Sequence, residues 1–531
     1  MRDNHEYIFK IANHDHEFNQ IHRLNYETFV EEIPQHQRNQ EGILVDLFHH
    51  ENTYLICIKN KKIIGMIAVR NKRPFSLDKK IGRVEDSLPV KFESLCEIRL
   101  LSVQKEYRKG RVFLGLAQLL STYCLQKGYD AAVISGTIRE AKLYKHLGFK
   151  PFAGLTGRED ALFQPMYLDK ATFEEILGEK FTRNFISFLP GPVAVSDTVS
   201  QAMGQLSISH RSKAFQSILD QVKTILCHMT NSKFVQVLMG TGTLANDVIG
   251  GQLSLLDGKG LILVNGEFGK RLQEQGDRWG LNYGLLEKEW GQPFSEEEIR
   301  HHISGDTKWI WAVHSETSTG MLNDMEMLKR IGRELQLKLC MDCISSIGAV
   351  PLDLDEVYLA SGVSGKAIGS YTGLSFVFHN HIVYTNKRIP KYLDLGIYQE
   401  NESIPFSHSS NLVEALLVAL NSMNVDKYTR VVNMYKEVRQ AIESIGLEVI
   451  SVEMHSSPVI MTIELPLSLS SITIGKSLKF QGYQLHYESA YLLEKNWLQI
   501  ACIGELDANH VTKMIVLLKQ VIDYESSLTN Y

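Results

Sequence analysis

Lys366 stands in SGVSGKAIGSYTGLSF, among glycines and serines and directly before the strand-like run LSFVF. Upstream, Asp342 closes the apolar run KLCMD. A lysine amine can form a Schiff base with an aldehyde, most often pyridoxal phosphate. Such a site needs a phosphate cradle, an acid for the pyridine nitrogen, an aromatic face for the ring and small residues around the lysine. MGTGTLAND, residues 239–247, is the candidate cradle, because it follows FVQVL and opens a helix-like stretch. Backbone N–H groups at a helix start favour an anion, and Gly240 and Gly242 let the backbone approach it; Thr241 and Thr243 add hydroxyls. Asp342 is the candidate acid, since a carboxylate there can keep the ring nitrogen protonated. Phe268, in VNGEFGKR, is the candidate aromatic face. Each alone has an ordinary alternative: a glycine turn, a helix cap, a core phenylalanine.

The order of the motifs is more specific than any one of them. Along the chain come PGP, GTGTLAND, NGEFGKR, HSETSTGMLND, MDCISSIGAVPLD and SGVSGKAIGSYTGLSF. Over about residues 185–525 this resembles the class V aminotransferases of the fold-type I pyridoxal-phosphate enzymes, especially the 2-aminoethylphosphonate:pyruvate and alanine:glyoxylate branch. The resemblance implies that Lys366 is the Schiff-base lysine, that Asp342 pairs with the pyridine nitrogen and that Phe268 stacks on the ring. It implies that Gly242 and Thr243 bind phosphate. Glu316, Thr317 and Ser318 would line the cofactor edge, with Ser345 beside them. Ser407 and Ser409, in FSHSSN, would reach the phosphate of the neighbouring subunit of a homodimer.

One position departs from that pattern. The family's C-terminal strand carries an arginine for the substrate carboxylate, whereas this chain reads LQIACIG with Gln499 there. Arginine grips a carboxylate through a charged fork, and glutamine offers one neutral amide. As a substrate-binding residue Gln499 therefore implies a substrate without that carboxylate, a cation supplied elsewhere, or a reaction other than transamination.

The N-terminal part carries a second set of candidates. LLSVQKEYRKGRVFLGLAQLL reads as strand, basic loop and helix. It resembles the pyrophosphate-binding turn of the GNAT acyltransferases, with Arg108, Gly110 and Arg111 in the loop, although Phe113 fills a position usually small. In EAKLYKHLGFKPF, Tyr144 would protonate the departing thiolate, and Glu97 in CEIRLLSV would deprotonate the attacking amine. IHRLNYETFVEE, RPFSLDK and EIRLLSV resemble, more loosely, the acyl-homoserine-lactone and N-acyl-amino-acid synthases. That implies an acyl-CoA or acyl-carrier-protein thioester as donor, and an acyl carrier protein as partner.

The elements that must position these residues follow from periodicity. TYLICIKNKKIIGMIAV reads as a hairpin, and VFLGLAQLLSTYCLQKGY as a helix capped at Gly128. Beyond PGP, the short apolar runs FVQVLMG, GLILVNG, WIWAVHS and KLCMDCI alternate with helix-like stretches, which implies a parallel sheet with crossover helices. The fold class is therefore α/β: a GNAT domain over 1–178, a pyridoxal-phosphate-binding large domain over 183–425 and a small α+β domain over 426–531. The chain has 531 residues, 44% hydrophobic, with a net charge of −5. That excludes a nucleic-acid footprint, and no apolar run is long enough for a membrane span. Seven scattered cysteines and the absence of a signal-like N-terminus point to reduced thiols in a cytoplasm. The CxxC of Cys340 and Cys343 lacks a second ligand pair, so no metal is expected. Two functions remain open. One is a multifunctional enzyme that makes or remodels an amine and acylates it. The other is a single pyridoxal enzyme, including a lyase or carbon–carbon bond-forming one, with a regulatory or degenerate N-terminal domain.

Overall fold

The computed structural model describes residues 7–108, 110–158, 161–181 and 185–528. Contacts gather the chain into two units. The first takes Met1–Phe185, Thr473–Tyr483 and Val516–Tyr531; the second takes Ile186–Ile472 and Gln484–Ile515. Two pieces of the last hundred residues are thus grouped with the N-terminal unit. The boundary expected at 183 lies outside the described residues.

The first unit is a mixed sheet flanked by helices. Its strands are β1 (Ile8–Ile11), β2 (Thr53–Lys59), β3 (Lys62–Arg70), β4 (Leu95–Val103), β5 (Ala131–Thr137), β6 (Lys150–Pro151), β7 (Thr156–Arg158) and β8 (Ala161–Asp169). The order is β1-β2-β3-β4-β5-β8-β6, with β7 on β8. The expected hairpin is β2–β3, and its turn residues Asn60 and Lys61 both have positive φ, the primed turn that suits strand twist. Strands β4 and β5 run parallel but pair only from Leu95–Glu97 to Ala131–Val133. Beyond Glu97 they part, and the helix Arg111–Lys127 begins at Gly110 and ends at the left-handed Gly128.

The second unit is built on a seven-stranded sheet. Its order is Phe234–Met239, Leu374–His379, Leu359–Val363, Lys338–Asp342, Thr307–Val313, Lys259–Val264 and Tyr283–Glu287. Only Leu374–His379 runs against its neighbours. Both faces are covered, so the strands read as continuous apolar runs. Alternate residues serve opposite cores: Leu261, Leu263, Ile310 and Ala312 belong to one, and Ile262, Val264, Trp309 and Trp311 to the other. The crossover helix Met325–Leu335 shows the local logic. Asp324 caps it through Met327 N, and Met325, Leu328 and Ile331 bury one face. A three-stranded antiparallel sheet of Glu448–Val449, Ile460–Glu464 and Trp497–Ala501 completes the unit. Cys340 and Cys343 are buried free thiols within it. Among the described residues, no helix is long and apolar enough to cross a membrane, and no side-chain cluster could hold a metal ion.

Candidate active site

The C-terminal ends of the parallel strands bring Lys366, Asp342, Phe268 and Ser345 together. Lys366 Nζ donates to Ser345 Oγ at 2.7 Å and lies 5.3 Å from the Phe268 ring centre. Burial lowers the pKa of the lysine, while the charges of Asp342 and Glu316 oppose that shift. Asp342 ends its strand, 5% exposed. Its carboxylate accepts from Asn246 Nδ2 at 2.8 Å and from Ile344 N at 2.9 Å. Burial pushes its pKa up, and these bonds and the lysine pull it back. The PGP turn sits against the lysine, for a Cβ on Gly191 would stand 3.4 Å from Lys366 Cγ.

The expected cradle lies at the start of the helix Gly242–Leu253, whose N-cap is Thr241. The Thr241 side chain makes no capping bond there, so the first-turn N–H groups are not taken by it. Space is tight at Gly242, where a Cβ would fall 2.4 Å from Ile344 Cδ1 and 3.2 Å from Val363 Cγ1. A buried carboxylate, a buried amine, an aromatic face and an uncapped helix start fit pyridoxal phosphate.

Glu316 lies near enough for its charge to act on Lys366, and it also supports the Phe268 helix. It is fully buried and accepts from Gly269 N at 2.9 Å, Phe268 N at 3.3 Å, and Ser318 N and Oγ at 3.1 and 2.5 Å. Ser318 Oγ in turn accepts from Glu267 N. The pair caps the helix Glu267–Arg278 from outside and so fixes the Phe268 ring. Burial raises the Glu316 pKa against those bonds. Gly266 leaves room for this, because a Cβ there would lie 2.4 Å from Ser318 Oγ.

Gln499 offers a substrate no free hydrogen-bonding atom. It is fully buried, and its Nε2 donates to Thr317 O, Ser318 O and Thr462 Oγ1 at 2.7, 3.1 and 2.8 Å. Its Oε1 accepts from His486 Nδ1 at 2.7 Å and from Tyr491 OH at 3.4 Å. The expected direct contact with substrate is thereby corrected: all the amide's donors and acceptors already have protein partners. Ser407 is exposed and Ser409 caps the helix Ser410–Asn421 through Leu412 N. Among the described residues, no hydrogen bond joins either serine to Lys366 or Asp342 in this single chain.

In the first unit, Tyr144 packs against Gly136, where a Cβ would lie 2.9 Å from the ring. Burial raises its phenol pKa, and bonds to Thr137 oppose that. Glu97 is 1% exposed and accepts from Ser76 N, Ser76 Oγ and Leu77 N at 2.9, 2.6 and 3.1 Å. It therefore organises the Ser76–Leu77 turn, and Arg99 Nε lies 3.6 Å from it, contacts that could not be foreseen from the sequence. Arg108 pairs with Glu32 and donates to Val103 O at 2.8 Å. Gly110 has φ +99° with open space around it, and Arg111 is exposed at the first position of its helix. Between that helix, β4 and β5 lies an apolar cavity of about 110 Å³, lined by Cys96, Ile98, Leu120, Leu147, Phe149 and Phe173 among others.

Three residues of these clusters escaped the sequence reading. Asn246 carries the signal of standing one helical turn after Gly242 within GTGTLAND. His486 and Tyr491 carry none, since their partner Gln499 is reached only through the fold.

Residues 195–384 match the family described as Aminotransferase class-V, and residues 20–168 the family described as N-acyl amino acid synthase FeeM. The soluble hydrogenase 42 kDa subunit of Anabaena cylindrica is 30% identical over 301 residues, 52% of this chain and 78% of that one. A 2-aminoethylphosphonate–pyruvate transaminase of Pseudomonas putida is 24% identical over 359 residues, 64% of this chain and 96% of its own. The crystal structure of an alanine–glyoxylate aminotransferase from Nostoc sp. aligns with a TM-score of 0.59 at 26% identity, covering 64% of this chain and 95% of that one.

Proposed function

Because the chain belongs to the class V aminotransferases, we propose that it is a bifunctional biosynthetic enzyme. The second unit transforms an amine or amino acid with pyridoxal phosphate at Lys366. The first unit acylates an amine from an acyl-CoA or acyl-carrier-protein thioester. The protein works as a cytoplasmic homodimer, with Ser407 and Ser409 reaching the partner's phosphate site. The observation that carries the reading is the convergence of Lys366, Asp342, Phe268 and Ser345 at the strand ends.

Pyridoxal phosphate, when bound, supplies an electron sink that weakens a bond to the carbon bearing the amine. The chain's own residues do the rest. Asp342, steadied by Asn246 and Ile344 N–H, would hold the ring nitrogen. Phe268 would support the ring, and the N–H groups of Gly242 and Thr243 would take the phosphate, with Gly240 and Thr241 beside them. Lys366 has its pKa lowered by burial, so its amine is more readily neutral and can take and return a proton. In the first unit, Tyr144 keeps its proton, because burial raises its pKa, and can deliver it to a leaving thiolate. The apolar cavity beside β4 suits the acyl chain, and Gly110 and Arg111 open the helix that receives the thioester's phosphates.

A second reading, a pyridoxal enzyme that does not transaminate, is favoured by the saturated amide of Gln499. Incubating the holoenzyme with an amine panel and analysing the released cofactor by mass separates the two. An aminated cofactor marks transamination, and amine consumption with unchanged cofactor marks the second reading. Tyr144→Phe tests the acyl step, with an expected loss of about 10²–10⁴-fold in transfer and donor binding retained. An unchanged rate would return Tyr144 to a packing role.

A further inference from the structure

Next to the Lys366 wall, three side chains form a hydrogen-bonded line that the proposed function leaves without a task. Ser489 Oγ lies 2.8 Å from His486 Nε2, and His486 Nδ1 lies 2.7 Å from Gln499 Oε1. Chemistry fixes every proton in it. The Gln499 amide nitrogen faces two backbone carbonyls, Thr317 O and Ser318 O, which can only accept. Its oxygen therefore faces His486, and an amide oxygen can only accept, so Nδ1 must carry the hydrogen. The neutral ring then presents a bare Nε2, and the Ser489 hydroxyl must donate to it.

Two further features set this apart from routine packing. Ser489 is the N-cap of the helix Ala490–Lys495, yet its side chain makes no capping bond. A serine at that position ordinarily caps its helix; this one faces the imidazole instead. The line is also continuous with the site. Gln499 is anchored on Thr317 and Ser318, and Ser318 holds Glu316, which caps the helix bearing Phe268. A hydroxyl, an imidazole and a third group that orients the imidazole are the parts of an activated hydroxyl pair.

We infer that His486 and Ser489 are a second proton-transfer pair of the Lys366 site, with Gln499 as the residue that positions them. His486 Nε2 takes the proton of the Ser489 hydroxyl, or of a substrate O–H or N–H that displaces it, and later returns it. The O–H bond breaks as the N–H bond forms, and nothing else is consumed. This rests on the reading of Lys366 as the reaction centre.

The test uses the full-length protein. Nitrogen-15 NMR of histidine-labelled apoenzyme, with His486→Asn for assignment, should show Nε2 of His486 unprotonated and Nδ1 protonated. Adding pyridoxal phosphate should shift those signals. A fluorophosphonate probe should react with the Ser489 oxygen, forming an O–P bond with loss of fluoride while His486 accepts the proton. Labelling should be at least tenfold faster in the wild type than in His486→Asn, with Ser489→Ala unlabelled there. Gln499→Leu removes the acceptor for Nδ1 and should lose fast labelling. The opposite tautomer, signals unmoved by the cofactor, or equal labelling with and without His486 would each overturn the inference. Mapping of the borohydride-fixed cofactor tests the Lys366 reading separately: a label elsewhere would sink that reading while leaving the tautomer and labelling results standing.

Discussion

Replacing Asn246 by alanine gives the sharpest test of how the site is held. Asn246 Nδ2 donates, as Ile344 N does, to the buried carboxylate of Asp342. A hydrogen bond to a charged group contributes about 1.5–3 kcal/mol, against roughly 0.5–1.5 for a neutral pair. Each tenfold in binding is about 1.4 kcal/mol. If Asp342 is the partner of the cofactor's ring nitrogen, Asn246→Ala leaves the carboxylate harder to keep ionised, because burial already raises its pKa. Cofactor affinity should then fall by about ten- to hundredfold. Water entering the truncated space would soften the loss toward the lower figure. The assay is titration of apoenzyme with pyridoxal phosphate, followed by absorbance, with thermal unfolding as a check that the fold survives. Affinity within twofold of the wild type, in a folded variant, would refute the role given to Asp342 and its support.

Borohydride reduction of the holoenzyme followed by peptide mapping should place the cofactor on Lys366; a label on another lysine would remove the centre of the site. His314 and His379 are buried, and burial lowers each pKa to about 4 from 6.5. In that interval the unfolded chain binds the proton and the folded chain does not, so stability present above pH 6.5 is lost as the pH falls toward 4. At about 1.36 kcal/mol per pKa unit, each contributes a loss of about 3 kcal/mol. The urea midpoint should drop further between pH 7 and pH 4.5 in wild type than in His379→Gln, and equal drops would count against it. Gly266→Ala should displace Glu316 and Ser318, whose atoms stand 2.5 and 2.4 Å from the new Cβ, at a cost of about 1–3 kcal/mol. Calorimetry showing no loss would mean that the cap on the Phe268 helix is dispensable.

Much of the second unit was legible because its chemistry lies in short, ordered motifs. Strands covered on both faces must be apolar throughout, and GTGTLAND, NGEFGKR and SGVSGKAIGSYTG each mark a strand end or helix start. Lys366, Asp342, Phe268 and Ser345 meet where those motifs imply. What stayed hidden depends on long-range contact. Glu316 finds the Phe268 and Gly269 N–H groups 48 and 47 residues away, and Glu97 is occupied by a turn 20 or 21 residues upstream. No local pattern announces such a partner. Likewise, nothing in the last hundred residues marks Thr473–Tyr483 and Val516–Tyr531 as grouping with the first unit.

The full occupancy of Gln499 bears on how such a site can change over generations. An arginine at that position could still donate to Thr317 O, Ser318 O and Thr462 Oγ1, but it has nothing to accept from His486 Nδ1 or Tyr491 OH. His486 would have to take the opposite tautomer, with Nε2–H toward Ser489, and Tyr491 would have to turn its hydroxyl. The neighbours are arranged around a neutral amide, so Gln499→Arg alone does not leave a guanidinium free for a carboxylate. Positions 486, 491 and 499 share these bonds, so the effect of a substitution at one of them should depend on the residues at the other two.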